Sequence, residues 1–128
     1  SVDRAARILE AFGARNYVID AGGDFVVRGR PAPAPHWRIG ITHPGTGAPI
    51  AAVEATDLAI ATAGARTGAV LSVTVVGPVL ATAADYAAAA FELGEGGPAW
   101  TAQLEGYEAM TILADAQVFS TPGFPGQE

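Results

Sequence analysis

The chain of 128 residues contains no cysteine and no lysine, and only 16% of its residues are charged. The absence of cysteine excludes disulfides, thiolate nucleophiles and cysteine-ligated metals. No apolar run approaches the roughly 18 residues that a membrane span needs, so we expect no membrane-spanning segment. The formal net charge is −6 and the seven arginines form no cluster, which argues against a nucleic-acid groove.

Hydrophobic residues make up 50% of the chain, which is typical of a packed globular protein and not of a disordered one. The length suits one domain with a sizeable core. Apolar residues recur at helical spacing over residues 2–12, and Gly13 follows as a stop signal. Helices are also predicted over residues 82–93, closed by Gly94, and from Pro98 to Leu104.

Short β-branched and alternating runs outnumber these helices and mostly connect as hairpins. Pro49–Glu54 and Leu58–Thr62 are expected to pair with each other around Thr56 and Asp57. We therefore predict an α+β fold, a mainly antiparallel sheet with helices packed on one face. The predicted strands are Tyr17–Ile19, Phe25–Arg28, Trp37–Ile41, Pro49–Glu54, Leu58–Thr62, Ser72–Val76, Tyr107–Leu113 and Gln117–Ser120.

The stretch from Tyr17 to Gly29 is strand-like but is interrupted by Gly22-Gly23-Asp24. One interpretation is a tight hairpin, because glycine accepts the positive φ that two-residue turns demand. The other is a binding turn, in which a backbone without Cβ atoms lets a large polar ligand approach beside Asp24. The residues by themselves favour the hairpin.

Asp85 stands in the first turn of an alanine-rich helix that follows the most strand-like stretch of the chain. A carboxylate there stabilises the helix N-terminus through the helix dipole. It is also a hard oxygen ligand of the kind that Mg²⁺ takes together with phosphate oxygens. Taken alone, the dipole interpretation is the better one.

Common catalytic motifs are missing from the chain. The glycine pair at 22 and 23 is no dinucleotide fingerprint, since no G-x-G-x-x-G is present and no helix follows. There is no nucleophile elbow on which a serine triad could be built. The sequence therefore leaves the catalytic residues unassigned.

Five stretches of the chain nevertheless form a recognisable series: SVDRAARILEAFGARNYVIDAGGDFVVRG, TDLAIATAG, RTGAVLSVTVVGP, ADYAAAAFELG and LEGYEAMTILADAQVFSTPGF. In this order they resemble the ApbE family of flavin transferases, over essentially all of the chain. The resemblance is to the C-terminal portion of a longer protein, so we expect residues 1–128 to be one partial or shortened domain.

The resemblance implies an enzyme that transfers FMN from FAD to a Ser or Thr hydroxyl of a target protein, with Mg²⁺. Its partners would be FAD and a flavin-acceptor protein. Asp85 is the nearest match to the family's metal-binding Asp. The residues that match the family's flavin-binding motifs are Gly22, Gly23 and Asp24 in the turn, Ala61, Thr62 and Gly64 at a strand end, and Thr67.

Departures from the family pattern concern the metal site and one loop. The family has a Thr one helical turn after the metal Asp, whereas alanines occupy both positions that could match it, Ala88 and Ala89. The family also has a longer loop, with an H-x-x-D-P-x-T-G motif, where this chain passes from Gly64 to Arg66 through one residue. The alternative interpretation is a non-catalytic flavin-binding domain with a degenerate metal site, and a third is a structural domain without a ligand.

Overall fold

The structure, a computed structural model, describes residues 2–44, 46–65 and 68–126. Among the helices of these ranges, none has the length and hydrophobicity to cross a bilayer. The helices are α1 (Val2–Ala11), α2 (Leu80–Glu92) and α3 (Gly97–Thr101), and a 3₁₀ turn covers Gly94–Gly96. The strands are β1 (Tyr17–Ala21), β2 (Asp24–Arg28), β3 (Trp37–Thr42), β4 (Pro49–Ala55), β5 (Leu58–Gly64), β6 (Val70–Gly77), β7 (Glu108–Leu113) and β8 (Val118–Ser120).

Two antiparallel sheets form the β structure. The larger has six strands in the order β1-β2-β5-β6-β7-β8, and the smaller is the β3–β4 hairpin. The prediction of an α+β fold with a mainly antiparallel sheet is confirmed. The predicted elements lie within a few residues of the observed ones, because each has its own local signal of periodicity or turn chemistry.

Residue alternation along β5 and β6 gives the large sheet two different faces. Ala61, Val73 and Val75 point to one face and belong to the core formed with α2. Ile60 and Val76 point to the other face and belong to the core formed with the β3–β4 hairpin. The molecule therefore has three layers, with helices on one side of the six-stranded sheet and a hairpin on the other.

The helix layer packs through small residues. Ala83, Ala87 and Ala90 of α2 are each at most 1% exposed and face the sheet. Aromatic rings fill the space around them: Tyr86 makes edge-to-face contacts with Trp100 and Tyr107, with ring centroids 5.8 and 5.1 Å apart. Such pairs stabilise beyond the apolar area they bury.

The hairpin layer packs through Ile39, Ile41 and Val53, which are buried against the large sheet. The Trp37 indole Nε1 donates a hydrogen bond to the carbonyl oxygen of Arg28 at 3.1 Å. This bond fastens the start of β3 to the end of β2. The hairpin is thereby held over the middle of the sheet, with its turn at the far end.

The expected pairing of β4 with β5 is wrong. β4 pairs with β3, and β5 pairs with β2 and β6. Thr56-Asp57 lacks the glycine that favours a two-residue hairpin turn. Instead, Asp57 takes a positive φ of 53° and its Oδ1 accepts a hydrogen bond from the Gly29 amide at 3.0 Å. At Thr56-Asp57 the chain therefore passes from the small sheet to the large one.

We predict that Gly77→Ala destabilises the fold by about 1–3 kcal/mol, the usual cost of overpacking. A Cβ at this position would overlap the Tyr107 ring, which packs directly against the end of β6. The free energy of unfolding in urea measures the effect. Gly96→Ala is the matched control, because its φ is −80° and a Cβ there would meet nothing within 4 Å. Equal stability of the two variants would contradict the prediction.

The contact between α1 and β1 predicts a pH dependence. The Tyr17 hydroxyl donates to Glu10 Oε2 at 2.6 Å. Burial, and then this bond and the Glu10 charge, raise the pKa of Tyr17 above its usual 10.0. The folded state thus favours the neutral form of Tyr17. The stability that this neutral tyrosine gives the fold is fully present below about pH 10 and is lost as the pH rises through the raised pKa.

Tyrosinate absorbance is followed through an alkaline titration of the wild type and of Tyr17→Phe. The difference between the two curves reports the ionisation of Tyr17. We expect the difference to titrate above pH 10, and the stability advantage of the wild type to shrink over the same range. A difference that titrates at or below pH 10 would disprove the coupling.

Candidate flavin-nucleotide cleft

A cleft of about 450 Å³ lies between the hairpin and the large sheet. This volume is within the range of small-molecule sites, roughly 300–1,000 Å³. The lining residues are Gly22, Gly23, Phe25, Ile39, Gly40, Ile41, Thr42, Pro44, Ile60, Thr62 and Gly64. The cleft therefore joins the β1–β2 turn, the end of β5 and the edge of β3.

Gly22 and Gly23 form the turn between β1 and β2, with Ala21 paired to Asp24. Their φ values are +66° and +96°, which residues other than glycine rarely adopt. A Cβ on either would meet nothing within 4 Å, so backbone conformation and not space requires glycine here. The stretch is thus the tight hairpin turn of the first interpretation, and its two glycines line the cleft. The binding turn of the second interpretation stays a prediction.

Thr62 is held in the cleft at two points. Its amide donates to Asp24 Oδ1 at 3.2 Å, which ties the β1–β2 turn to β5 beyond the last paired residues. Its hydroxyl lies 2.9 Å from the hydroxyl of Thr74 on β6. The Asp24 carboxylate thus accepts a hydrogen bond from the backbone of β5, and Asp24 is not among the residues that line the cleft.

Gly64 lies at the mouth of the cleft, where the hairpin comes close to the sheet. A Cβ at this position would lie 2.8 Å from the carbonyl oxygen of Leu71 and 3.6 Å from Cγ of Pro44. Glycine is therefore required by close packing of the backbone. This requirement differs from that of the turn glycines.

The remaining predicted site residues do not lie together in the cleft. Ala61 is 1% exposed and packs in the helix-side core, on the other face of the sheet. Thr67 lies outside the described residues. The strand end from Ala61 to Gly64 thus divides between two faces, and its even-numbered residues line the cleft.

Asp85 is exposed on α2, which packs on the opposite face of the sheet from the hairpin. Since α2 begins at Leu80, two residues before its predicted start, Asp85 lies beyond the first turn, and the prediction that it stabilises the helix N-terminus is wrong. Ala88 and Ala89 are exposed on the same helix and offer no oxygen ligand. Within the part of the chain that the structure describes, no three His, Asp or Glu side chains are grouped so that they could hold a metal. Mg²⁺ requires near-octahedral oxygen coordination, and these residues do not fit that requirement.

From the sequence, β3 was not identified as a wall of the cleft. The buried hydroxyls of Ser72 and Thr74 on β6 were not identified either. Ile39 and Ile41 alternate along β3, and this period of two was the available signal for a strand that covers a sheet face. Ser72 and Thr74 stand at alternate positions of a valine-rich strand. That spacing places both hydroxyls on the face opposite to Val73 and Val75.

The cleft is electrically neutral at its surface. None of the described residues that line it has a charged side chain, and its side-chain polar atoms are the hydroxyls of Thr42 and Thr62. An exposed ion pair lies on the hairpin instead, where Glu54 contacts Arg38 at 3.4 Å. The described lining residues offer hydroxyls and backbone groups for hydrogen bonds, and none of them has a side chain suited to acid–base catalysis.

Comparison with known proteins assigns the chain to a family. The sequence profile of the ApbE family matches residues 1–68, somewhat more than half of the chain. The chain belongs to the ApbE family. No curated protein sequence matches it.

Solved structures of ApbE proteins share the fold over nearly the whole chain. The flavin transferase ApbE from Vibrio cholerae is 26% identical, with a TM-score of 0.80 over 96% of this chain and 48% of its own. The apo flavinyl transferase ApbE of Pseudomonas stutzeri is 24% identical, with a TM-score of 0.78 over 94% of this chain and 45% of its own. The ApbE protein of Thermotoga maritima is 20% identical, with a TM-score of 0.77 over 94% and 48%. The chain thus spans about half the length of these proteins.

Proposed function

We propose that the chain forms part of a flavin transferase that takes FMN from FAD and attaches it to a Ser or Thr hydroxyl of an acceptor protein. One observation carries this proposal: the Gly22-Gly23 turn and the Thr62–Gly64 strand end meet in one cleft, in a chain of the ApbE family. The similar structure from Vibrio cholerae, 26% identical, is that of a flavin transferase, which supports the same activity.

The neutral lining suggests which part of FAD the cleft holds. Phosphates in proteins are bound by arginine, lysine, metal ions or clustered amides. The described lining residues include no arginine, the chain has no lysine, and the amide of Gly23 in the glycine turn already donates to Asp20 Oδ1 at 3.1 Å. Apolar walls with a few hydroxyls suit an uncharged heteroaromatic ring. We infer that the cleft holds a ring of FAD and that the pyrophosphate lies outside it.

The metal that the family implies would need ligands beyond the described residues of this chain. Asp85 supplies one exposed carboxylate, and the alanines beside it supply no oxygen. This observation favours the second candidate function for the chain by itself, a flavin-binding domain that does not catalyse transfer. The two candidates share the cleft and differ in the metal chemistry.

We predict that Gly23→Val abolishes FAD binding, because valine resists the positive φ of the turn that lines the cleft. Flavin fluorescence titration measures the affinity. Gly13→Val is the matched control: its φ is +88°, a Cβ there would meet nothing within 4 Å, and Gly13 is not a lining residue. The control should share the loss of stability and keep FAD binding. Equal FAD affinity of Gly23→Val and the wild type would leave the turn with a structural role only.

We also predict that this chain alone transfers no FMN in the presence of Mg²⁺. The described residues form no metal site, so they cannot hold the Mg²⁺ that would neutralise the developing charge at the pyrophosphate, which phosphoryl transfer requires. The assay is incubation with FAD, Mg²⁺ and an acceptor that has the sequence D-x-x-T-G-A-T, followed by mass measurement of the acceptor. Mg²⁺ should also leave the thermal unfolding midpoint unchanged, because a ligand that does not bind the native state cannot stabilise it. FMN addition to the acceptor would show that the metal ligands are present after all.

A further inference from the structure

The hydroxyl pair between Thr62 and Thr74 joins the cleft to the interior of the sheet. Thr62 is exposed and lines the cleft, whereas Thr74 is 0% exposed at the centre of β6. Their Oγ1 atoms are 2.9 Å apart, which is within hydrogen-bond distance. The geometry of the two oxygens alone allows either residue to be the donor.

Burial decides the direction of this hydrogen bond. Each hydroxyl has a single proton to donate. The bond to Thr62 is the one hydrogen bond that the described residues offer the Thr74 hydroxyl. If Thr62 were the donor, the Thr74 proton would be buried without an acceptor, and an unpaired buried donor is costly. If Thr74 is the donor, the proton of Thr62 is free to point into the open cleft.

A second buried hydroxyl lies one step along the same face of β6. Ser72 is 1% exposed, and its Oγ has no hydrogen-bond partner among the described residues. Ser72 pairs with Gly64 in the β5–β6 register, and a Cβ added to Gly64 would lie 3.4 Å from the Ser72 Cβ. Buried hydroxyls are normally paired with protein, ligand or water. Ser72 thus leaves a second hydroxyl in the buried layer beneath Gly64, although Ser72 is not itself among the residues that line the cleft.

We propose that Thr74 is a positioning residue that fixes Thr62 as a hydrogen-bond donor to an uncharged acceptor, a ring carbonyl or ring nitrogen, of a heteroaromatic ligand. The acceptor is uncharged because no cationic side chain lines the described cleft to balance an anion. The Asp24 carboxylate is already bonded to the Thr62 amide, which holds the backbone of this donor in place. The inference rests on the proposed function and adds the specificity of its ring site.

The direction of the bond is testable without a ligand. In proton NMR of the wild-type chain we expect the Thr74 hydroxyl proton to be protected from exchange with water. The Thr62 hydroxyl proton should exchange rapidly. The assigned Thr74 signal should disappear in Thr74→Val. A protected Thr62 proton, or an unprotected Thr74 proton, would overturn the proposal whatever the protein binds.

The consequence for the ligand is testable with riboflavin, which has ring carbonyls and no phosphate. Thr74→Val keeps the shape of the side chain and should weaken riboflavin binding about two- to tenfold, the value of one net hydrogen bond. Thr74→Ser should restore the affinity. Thr62→Val combined with Thr74→Val should bind no more weakly than Thr62→Val alone, because Thr74 acts through Thr62.

Thr111→Val is the matched control for the substitution. Thr111 is 1% exposed on β7 and pairs with Val73, so its side chain lies on the helix side of the sheet. This variant should bind riboflavin like the wild type. Unchanged affinity in Thr74→Val, or additive losses in the double variant, would overturn the role of Thr74 and leave the proposed function intact. A wild-type chain that binds no riboflavin would overturn the flavin site itself, and the inference with it.

Discussion

The period-two alternation of β5 and β6 is the constraint on which the rest of the structure depends. It sends Ala61, Val73 and Val75 to the helices and Thr62, Gly64 and Thr74 to the hairpin side. A shift of one residue in the register of β6 would place its hydroxyls in the alanine–valine core and its valines in the cleft. The same pairing that builds the core therefore also builds the candidate site.

The parts of the fold with local signals were predictable from the sequence. The Gly22-Gly23 turn and the valine-rich β6 are specified by turn chemistry and β propensity within a few residues. The pairing of β4 was predicted wrongly because both of its neighbours in sequence, β3 and β5, were possible hairpin partners. The connection from β4 to β5 is instead shaped by the positive φ of Asp57 and by its bond to Gly29, 28 residues away in sequence, and this contact has no local signal.

The candidate site was predictable only where it coincided with a turn or a strand end. The position of Asp85 shows why the rest was not. In a helix made mostly of alanine, each residue is small enough to be buried or exposed, so the sequence gives little indication of which side faces the sheet. The structure buries Ala83 and Ala87 and leaves Asp85 in solvent. The hydroxyl pair depends on contact between two strands, which composition alone does not show.

The hairpin that covers the cleft has a mechanical consequence. Both of its chain connections leave from the end where Trp37 pairs with Ala55, and the Trp37 indole is fastened there to Arg28. At the other end of the hairpin, Pro44 lies close to Gly64, where a Cβ would be 3.6 Å from Cγ of Pro44. The hairpin is thus anchored to the sheet at its tryptophan end, and its tip lies beside a position that has no side chain. A single methyl group on Gly64 would meet Pro44 at 3.6 Å, an ordinary contact, but the carbonyl oxygen of Leu71 at 2.8 Å, so it would push β5 away from β6 at the mouth of the cleft and leave the hairpin tip almost where it is.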